Sequence, residues 1–216
     1  ALGGWGNVLY AKHILAMLFM QAGDPIVSRD EKGKPVPTLG NVQSTNTTAN
    51  ENPAKSALQF YTEFANPTKT IYSWNRSLPL SQDAFVSGDL ALYFGFASNY
   101  VTLKERNPNL RFGVSVMPQI EGMGVKLTFG QMTGLAIPRT TANPNGALLA
   151  AQKLTSVKGI TSYTAVSGLP PVRRDVVVDT SKDAAQSVFK SSALIARGWL
   201  DPEPEKTNVV FQDMIE

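Results

Sequence analysis

The sequence predicts an α/β fold, and most of that prediction rests on the stretch from Ser81 to Pro118. Two continuous apolar runs of strand length, residues 90–94 and 112–116, stand on either side of a helical segment. Unbroken apolar runs are typical of strands that are covered on both faces of a sheet. A strand, a crossover helix and a second strand form a parallel βαβ unit, so we expect a parallel sheet in this region.

Capping and turn residues indicate where helices begin and end. Ser81 is predicted to cap the helix before the first strand, because a serine oxygen at that position accepts a free amide hydrogen of the first turn. Gly88 is predicted to end the same helix with a positive φ. Asn52 and Asn143, each followed by proline, are predicted to open two further helices.

Apolar stripes and chain breakers outline the remaining elements. Residues 28–52 are polar and rich in turn-forming residues, which predicts a long loop with a small hairpin. Residues 127–137 are predicted to form a strand despite two internal glycines. Further predicted helices are residues 8–21, 147–154, 159–166, a helix from a cap at 179–181 to residue 196, and 209–215 with Thr207 or Asn208 as its cap.

Composition excludes several function classes. A chain of 216 residues that is 43% hydrophobic and 17% charged can bury one or two modest cores and is not disordered. The net charge of +3, without a basic cluster, gives no indication of a nucleic-acid partner. The chain has no cysteine, which excludes thiol catalysis and thiolate metal sites. Its single histidine, His13, is interpreted as a solvated or satisfied side chain.

The ordered motifs of the Ser81–Pro118 stretch carry a family resemblance. They read AF-x-x-G-x-x-A-hydrophobic-Y-hydrophobic-G, a short helix, and NP-x-L-x-FGV-x-x-MP. This series resembles the extracellular solute-binding proteins of ABC importers, family 1, the class that includes the maltose-binding protein. Similar family segments are AxxFMQAGDPIV at residues 16–27, the stretch at 127–137, the GLPPVR turn at 168–173 and the W-x-x-P-x-P motif at 199–204.

The resemblance implies an α/β fold of the periplasmic-binding-protein-like type II, mostly the second lobe with part of the first. Residues 1–118 would form a second-lobe segment, 119–170 the crossover and a first-lobe segment, and 171–216 a truncated return to the second lobe. On this basis we expect the chain to be a fragment of a family member. A missing neighbour would leave an apolar face exposed, which predicts self-association or domain swapping.

The resemblance also implies solute binding in a cleft between the lobes. Trp5 and Trp74 are candidate stacking residues, although each also suits packing at a core edge or beneath a loop. Ser98 stands where the family usually carries a tryptophan, and Phe96 and Tyr100 are expected to compensate. A carbohydrate is the leading solute, with glycerol phosphate, polyamines and other small solutes as alternatives. The candidate solute-binding residues are Trp5, Trp74, Asn75, Phe96, Ser98, Asn99, Gln131 and Met132.

Two other function classes stay open, a glycoside hydrolase and a non-catalytic interaction module. A hydrolase needs paired carboxylates, whereas Asp83, Asp89 and Glu105 are placed near helix ends or on a solvated face. The match of Ser187–Lys190 to S-x-x-K lacks the companion motifs of serine acylation. We therefore expect a non-enzyme without metal or cofactor. Its expected partners are a small solute and the membrane subunits of an ABC permease, at an extracytoplasmic location in the periplasm or as a cell-surface lipoprotein.

Overall fold

The computed structural model of this chain describes residues 1–41, 52–122, 124–177 and 183–216. These residues form eight helices and four short strands. The helices are α1 (Ala11–Gln21), α2 (Pro53–Glu63), α3 (Ser81–Ser87), α4 (Asn99–Arg106), α5 (Pro144–Leu154), α6 (Val157–Ser167), α7 (Ala184–Ile195) and α8 (Pro204–Ile215). The strands are β1 (Val27–Arg29), β2 (Pro35–Pro37), β3 (Thr128–Phe129) and β4 (Ala196–Arg197).

Helix α1 is the centre of the hydrophobic core. It is apolar on nearly every side, and Leu15 and Phe19 are fully buried between α2 and α8. Burying side chains of this size stabilises a fold by roughly 1.5–3 kcal/mol each. The buried Tyr61 of α2 packs in the same core, and its hydroxyl donates a hydrogen bond of 2.8 Å to the carbonyl oxygen of Gly4. The segment before α1 is thereby attached to α2.

Several local predictions are confirmed. The side-chain oxygens of Asn52 and Asn143 accept hydrogen bonds from backbone amides in the first turns of α2 and α5, each with proline at the helix start. Gly88 ends α3 with a φ of 90°. Strands β1 and β2 pair antiparallel and form the expected hairpin. Each of these features depends on residues close together in sequence.

The predicted strands at 90–94 and 112–116 are wrong, because neither stretch forms a strand or has a ladder partner in the described part of the chain. Leu92 is 74% exposed, which contradicts burial on both faces. A strand needs the backbone of a neighbour, and an apolar run cannot supply that neighbour itself. Leu90 and Phe94 pack against the core as side chains instead.

The expected βαβ unit is replaced by a smaller parallel pair. Strand β3 pairs with β4, Thr128 opposite Ala196 and Phe129 opposite Arg197. The amide of Gly130 donates to the carbonyl oxygen of Arg197 and extends this pairing by one bond. Only the first residues of the predicted 127–137 strand therefore form a ladder.

Three helix boundaries also differ from the predicted ones. Ser81 is the first residue of α3 after an N-cap at Leu80, and its hydroxyl accepts from the Leu9 amide at 2.9 Å. Helix α8 begins at Pro204, so Thr207 and Asn208 lie within it and do not cap it. Helix α7 is capped by Asp183, and the cap expected at 179–181 lies outside the described residues. Long-range bonding of Ser81 outweighs its local capping role.

Candidate functional site

A cavity of about 650 Å³ lies where α1 approaches the β3–β4 pair and the segment that leads into α8. We call it the crossover cavity. Its walls combine apolar rings, amides and one oppositely charged pair. The lining residues include Lys12, His13, Phe129, Gln131, Met132, Trp199, Asp201 and Asn208.

One wall of this cavity is backed by an aromatic cluster of Tyr10, His13, Phe96 and Phe129. The imidazole of His13 lies edge-to-face against three rings, with centroid distances of 4.9 Å to Phe129, 5.5 Å to Phe96 and 5.8 Å to Tyr10. Tyr10 also meets Phe96 edge-to-face at 4.9 Å. Edge-to-face pairs at these distances are favourable for aromatic rings. The cluster reaches the cavity through His13 and Phe129.

Asn99 holds the loop at residues 95–98 against this cluster. Its side-chain oxygen accepts from the Phe96 amide at 3.0 Å, and its amide nitrogen donates to the Tyr10 hydroxyl at 2.9 Å. Tyr10 precedes α1 with a φ of 69°, a left-handed conformation that is uncommon for a bulky residue. Such strain costs on the order of 1–3 kcal/mol and is frequent at functional sites. Two predicted residues, Phe96 and Asn99, therefore meet at this point.

Gln131 and His13 are hydrogen-bonded at the cavity wall. The side-chain amide of Gln131 donates to Nε2 of His13 over 3.0 Å, which requires a neutral imidazole. Burial, reinforced by the Lys12 charge and opposed by Asp201, lowers the pKa of His13 below its ordinary value of 6.5. His13 therefore presents an uncharged ring to the cavity at neutral pH. The interpretation of His13 as a satisfied side chain holds for Nε2, whereas Nδ1 is buried without a partner among the described residues.

The charged pair of the cavity is internally compensated. The Lys12 side chain is only 11% exposed, and its Nζ lies 2.7 Å from Asp201 Oδ2. The same ammonium donates to Thr207 Oγ1 at 2.6 Å, to Asn208 Oδ1 at 2.9 Å and to the Pro204 carbonyl oxygen at 3.3 Å. One cation thus joins α1 to the segment that opens α8, and its charge is balanced by protein groups.

The predicted tryptophans and Asn75 lie elsewhere. Trp74 is 4% exposed and donates from Nε1 to Asn7 Oδ1 at 3.0 Å, so it packs beneath its loop and is not accessible for stacking. Trp5 and Asn75 line a second cavity of about 550 Å³ beside α2, which we call the α2 cavity. That cavity also contains the ion pair of Glu63 and Lys69.

Two of the remaining predicted positions belong to the crossover cavity, and Ser98 is not among its lining residues. Gln131 and Met132 line it, and the Met132 side chain is largely exposed. Ser98 is exposed, directly before α4, and makes no capping bond. Sequence reasoning missed Lys12 and Trp199 as cavity residues. The W-x-x-P-x-P motif was a usable signal for Trp199, but nothing local indicates the burial of Lys12.

The carboxylates considered for catalysis are bound or surface-placed. Asp83 pairs with Arg106 at 2.7 Å, and Asp89 accepts from the Ser87 hydroxyl.

Among the described residues, no group of three or more side chains has the arrangement of a metal site. None of the helices that the structure describes combines the length and apolarity needed to cross a membrane.

The comparison with protein families is decisive. A family model described as bacterial extracellular solute-binding protein matches residues 6–189. The chain belongs to this family. The matched range includes Tyr10, His13, Phe96, Asn99 and Gln131, whereas the comparison with curated proteins found no match.

Membership of this family implies several properties of this solute-binding protein. It implies a periplasmic-binding-protein-like fold, in agreement with the mixed helices and strands of the structure. It implies an extracytoplasmic component of an ABC transporter, with a small-molecule solute and a permease as partners. Proteins of this family are generally non-catalytic.

Proposed function

We propose that this solute-binding protein binds a neutral carbohydrate in the crossover cavity and delivers it to an ABC permease. The observation that carries this proposal is the charge balance of the cavity. Its charged side chains, Lys12 and Asp201, are bonded to each other, and the remaining wall consists of aromatic, amide and apolar groups. Rings that pack on sugar faces and amides that bond hydroxyls are the groups a carbohydrate requires.

The same charge balance disfavours the two charged solute classes. A glycerol phosphate needs an uncompensated cation, and Lys12 already has four acceptors from the protein. A polyamine needs an uncompensated acid, and Asp201 is committed to Lys12 and to the Thr207 hydroxyl. Separating either charged group from its partner would require more free energy than a new ionic contact with the solute could supply, unless that contact had equally good hydrogen bonds.

The proposed solute contacts are the predicted residues Gln131 and Met132, which line the crossover cavity, together with Phe96, Ser98 and Asn99 of the loop and helix start that pack on its aromatic cluster. Gln131 carries an amide on the wall, and Phe96 and Asn99 hold the aromatic cluster behind it. Trp5 and Asn75 line the α2 cavity and form an alternative contact set there. Trp74 is not part of the proposed site, because its side chain is buried.

We further propose the lobe arrangement that the family fold suggests. Residues 1–118 and 171–216 belong to the second lobe, and 119–170 form the crossover and a first-lobe segment. The parallel β3–β4 pair supports this, since it links residues 119–170 to residues 171–216 as a crossover does, and Phe129 of β3 lines the cavity. Closure of two lobes by hinge motion couples solute to permease docking, because the solute binds the closed form more tightly. The protein would act in the periplasm or as a cell-surface lipoprotein.

Calorimetry with defined compounds tests the proposal. Maltose, maltotriose and cellobiose represent neutral sugars, and glycerol 3-phosphate and spermidine represent the charged alternatives. We expect saturable binding of a neutral sugar and a rise in Kd of about tenfold in Gln131→Ala, the loss of one well-placed hydrogen bond. Gln59→Ala, at the α2 cavity, is the matched control and should bind as the unmodified protein does.

Three outcomes contradict the proposal. Binding of glycerol 3-phosphate or spermidine in place of the sugars would refute the solute class. An affinity that depends on Gln59 and not on Gln131 would move the site to the α2 cavity. Turnover of a glycoside substrate would replace binding with catalysis.

A further inference from the structure

Trp199 lies at the wall of the crossover cavity, outside the residues matched by the family model. It follows β4 directly after Gly198 and is half-buried. The contrast with Trp74 is informative, because that indole is buried and its N–H is bonded to Asn7. In the described part of the chain the indole N–H of Trp199 has no hydrogen-bond acceptor. Trp199 therefore contributes to the cavity an aromatic ring and an indole N–H that makes no hydrogen bond to the described residues.

The position of this indole is determined by its neighbours. Its ring lies nearly parallel to that of Phe211 on α8, with an interplanar angle of 18° and centroids 6.1 Å apart. The ammonium of Lys12 lies 5.5 Å from the Trp199 ring centroid, within the range of a cation–π interaction. An aromatic residue held in this way loses little conformational freedom when it contacts a ligand.

The Lys12 contacts also hold the backbone on the C-terminal side of Trp199. Asp201 binds the ammonium directly, and the Thr207 hydroxyl lies 2.8–2.9 Å from both Asp201 carboxylate oxygens. The Pro204 carbonyl oxygen and Asn208 complete the set. The segment 199–208 is thus attached to α1 at one point, and that point lies beside the cavity.

We propose that Trp199 contacts the bound solute and that Lys12 and Asp201 position it. This inference rests on the proposed function and specifies the solute class further. A ring at the wall, with a free N–H and no unbalanced charge beside it, fits a neutral solute that has both an apolar face and hydroxyl groups, as a pyranose has. Trp199 replaces the two sequence-predicted tryptophans as the stacking residue.

Calorimetry and tryptophan fluorescence with maltose, maltotriose and cellobiose test the contact. We expect Trp199→Ala to raise Kd by about tenfold or more, the size of effect that a buried aromatic contact has in an interface. Trp199→Phe, which keeps an aromatic ring, should bind more tightly than Trp199→Ala. It should also lose the solute-dependent fluorescence change, since the reporting indole is gone. Trp5→Phe at the α2 cavity is the control and should keep both the affinity and the fluorescence change.

The positioning role of Lys12 has a separate readout. Lys12→Met should increase acrylamide quenching of Trp199 and weaken sugar binding, and Lys12→Arg should restore part of both. Circular dichroism of each variant establishes that it is folded. Sugar binding with Kd unchanged in Trp199→Ala and in Trp199→Phe would overturn this inference alone. Absence of heat with every sugar in the unmodified protein would overturn the proposed function together with this inference.

Discussion

The ammonium of Lys12 lies 2.7 Å from the carboxylate of Asp201, although the two residues are 189 positions apart in the chain. This ion pair joins the first turn of α1 to the segment that opens α8. Both side chains are mostly buried, so the pair belongs to the class whose disruption leaves an uncompensated charge in the protein.

Removal of the Lys12 charge should destabilise the fold markedly. We expect Lys12→Met to lower the free energy of unfolding by about 2–4 kcal/mol, because Asp201 and Asn208 lose their donor. Urea denaturation measures this. Lys69→Met breaks an ion pair in which Lys69 is more exposed and should cost less than about 1 kcal/mol. Equal effects of the two substitutions would contradict the assigned role of Lys12.

Stability should depend on pH through His13. The pKa of His13 is lowered in the folded state by burial and by Lys12, so the unfolded chain binds more protons than the fold in the window just below pH 6.5. The free energy of unfolding should therefore fall as pH decreases from about 7 through 6.5 and level off below the folded pKa.

Nuclear magnetic resonance observes this titration directly, because His13 is the single histidine of the chain. His13→Gln should remove the corresponding part of the pH dependence in urea unfolding. A measured imidazole pKa at or above 6.5 in the folded protein would contradict the prediction, since the fold would then favour the protonated ring.

Glycine and alanine at position 10 should differ in their effect on stability, because the backbone there is left-handed. Both Tyr10→Gly and Tyr10→Ala remove the ring and its bond with Asn99, but only glycine adopts a φ of 69° without steric cost. We expect Tyr10→Gly to be more stable than Tyr10→Ala by about 1 kcal/mol. Denaturant unfolding of the two variants measures the difference. If the alanine variant is equally or more stable, the left-handed conformation is not required.

Gly130 should not accept a side chain. A Cβ atom at Gly130 would lie 2.7 Å from the Cβ of Ala196, where β3 meets β4. We expect Gly130→Ala to lower the free energy of unfolding by about 1–3 kcal/mol through overpacking. Gly134→Ala is the control, since a Cβ there meets no atom within 4 Å. Thermal unfolding compares the two, and a Gly130 variant as stable as the Gly134 variant would contradict the close approach.

Self-association stays a prediction, and α5 and α6 are the elements that suggest it. Helix α5 buries none of its residues in the described structure, and Leu149 and Leu154 are exposed together with Val166 of α6. Sedimentation velocity over a dilution series should show concentration-dependent association that Leu149→Lys reduces. Gln152→Lys adds the same charge without removing an apolar group and should reduce it less. A monodisperse monomer at all concentrations would refute the prediction.

Features that depend on neighbours within a few residues could be predicted from the amino-acid order alone. Asn52 and Asn143 cap their helices because the amides they bind lie only three residues further on. Gly88 ends α3 because it lacks a Cβ. The ordered motifs between Ser81 and Pro118 indicated the family that the family model then matched. Helix caps, turn glycines and an ordered series of family motifs can all be recognised in the sequence itself.

Contacts between residues that are far apart in the chain could not be predicted in this way, because they depend on how the whole chain packs. The runs at 90–94 and 112–116 have strand-like composition, but strand formation depends on a distant backbone that composition does not reveal. Trp74 and Trp199 look alike in sequence, yet packing buries the first and leaves the second at a cavity wall. The burial of Lys12 follows from acceptors about 190 residues away, and no local pattern encodes such a contact.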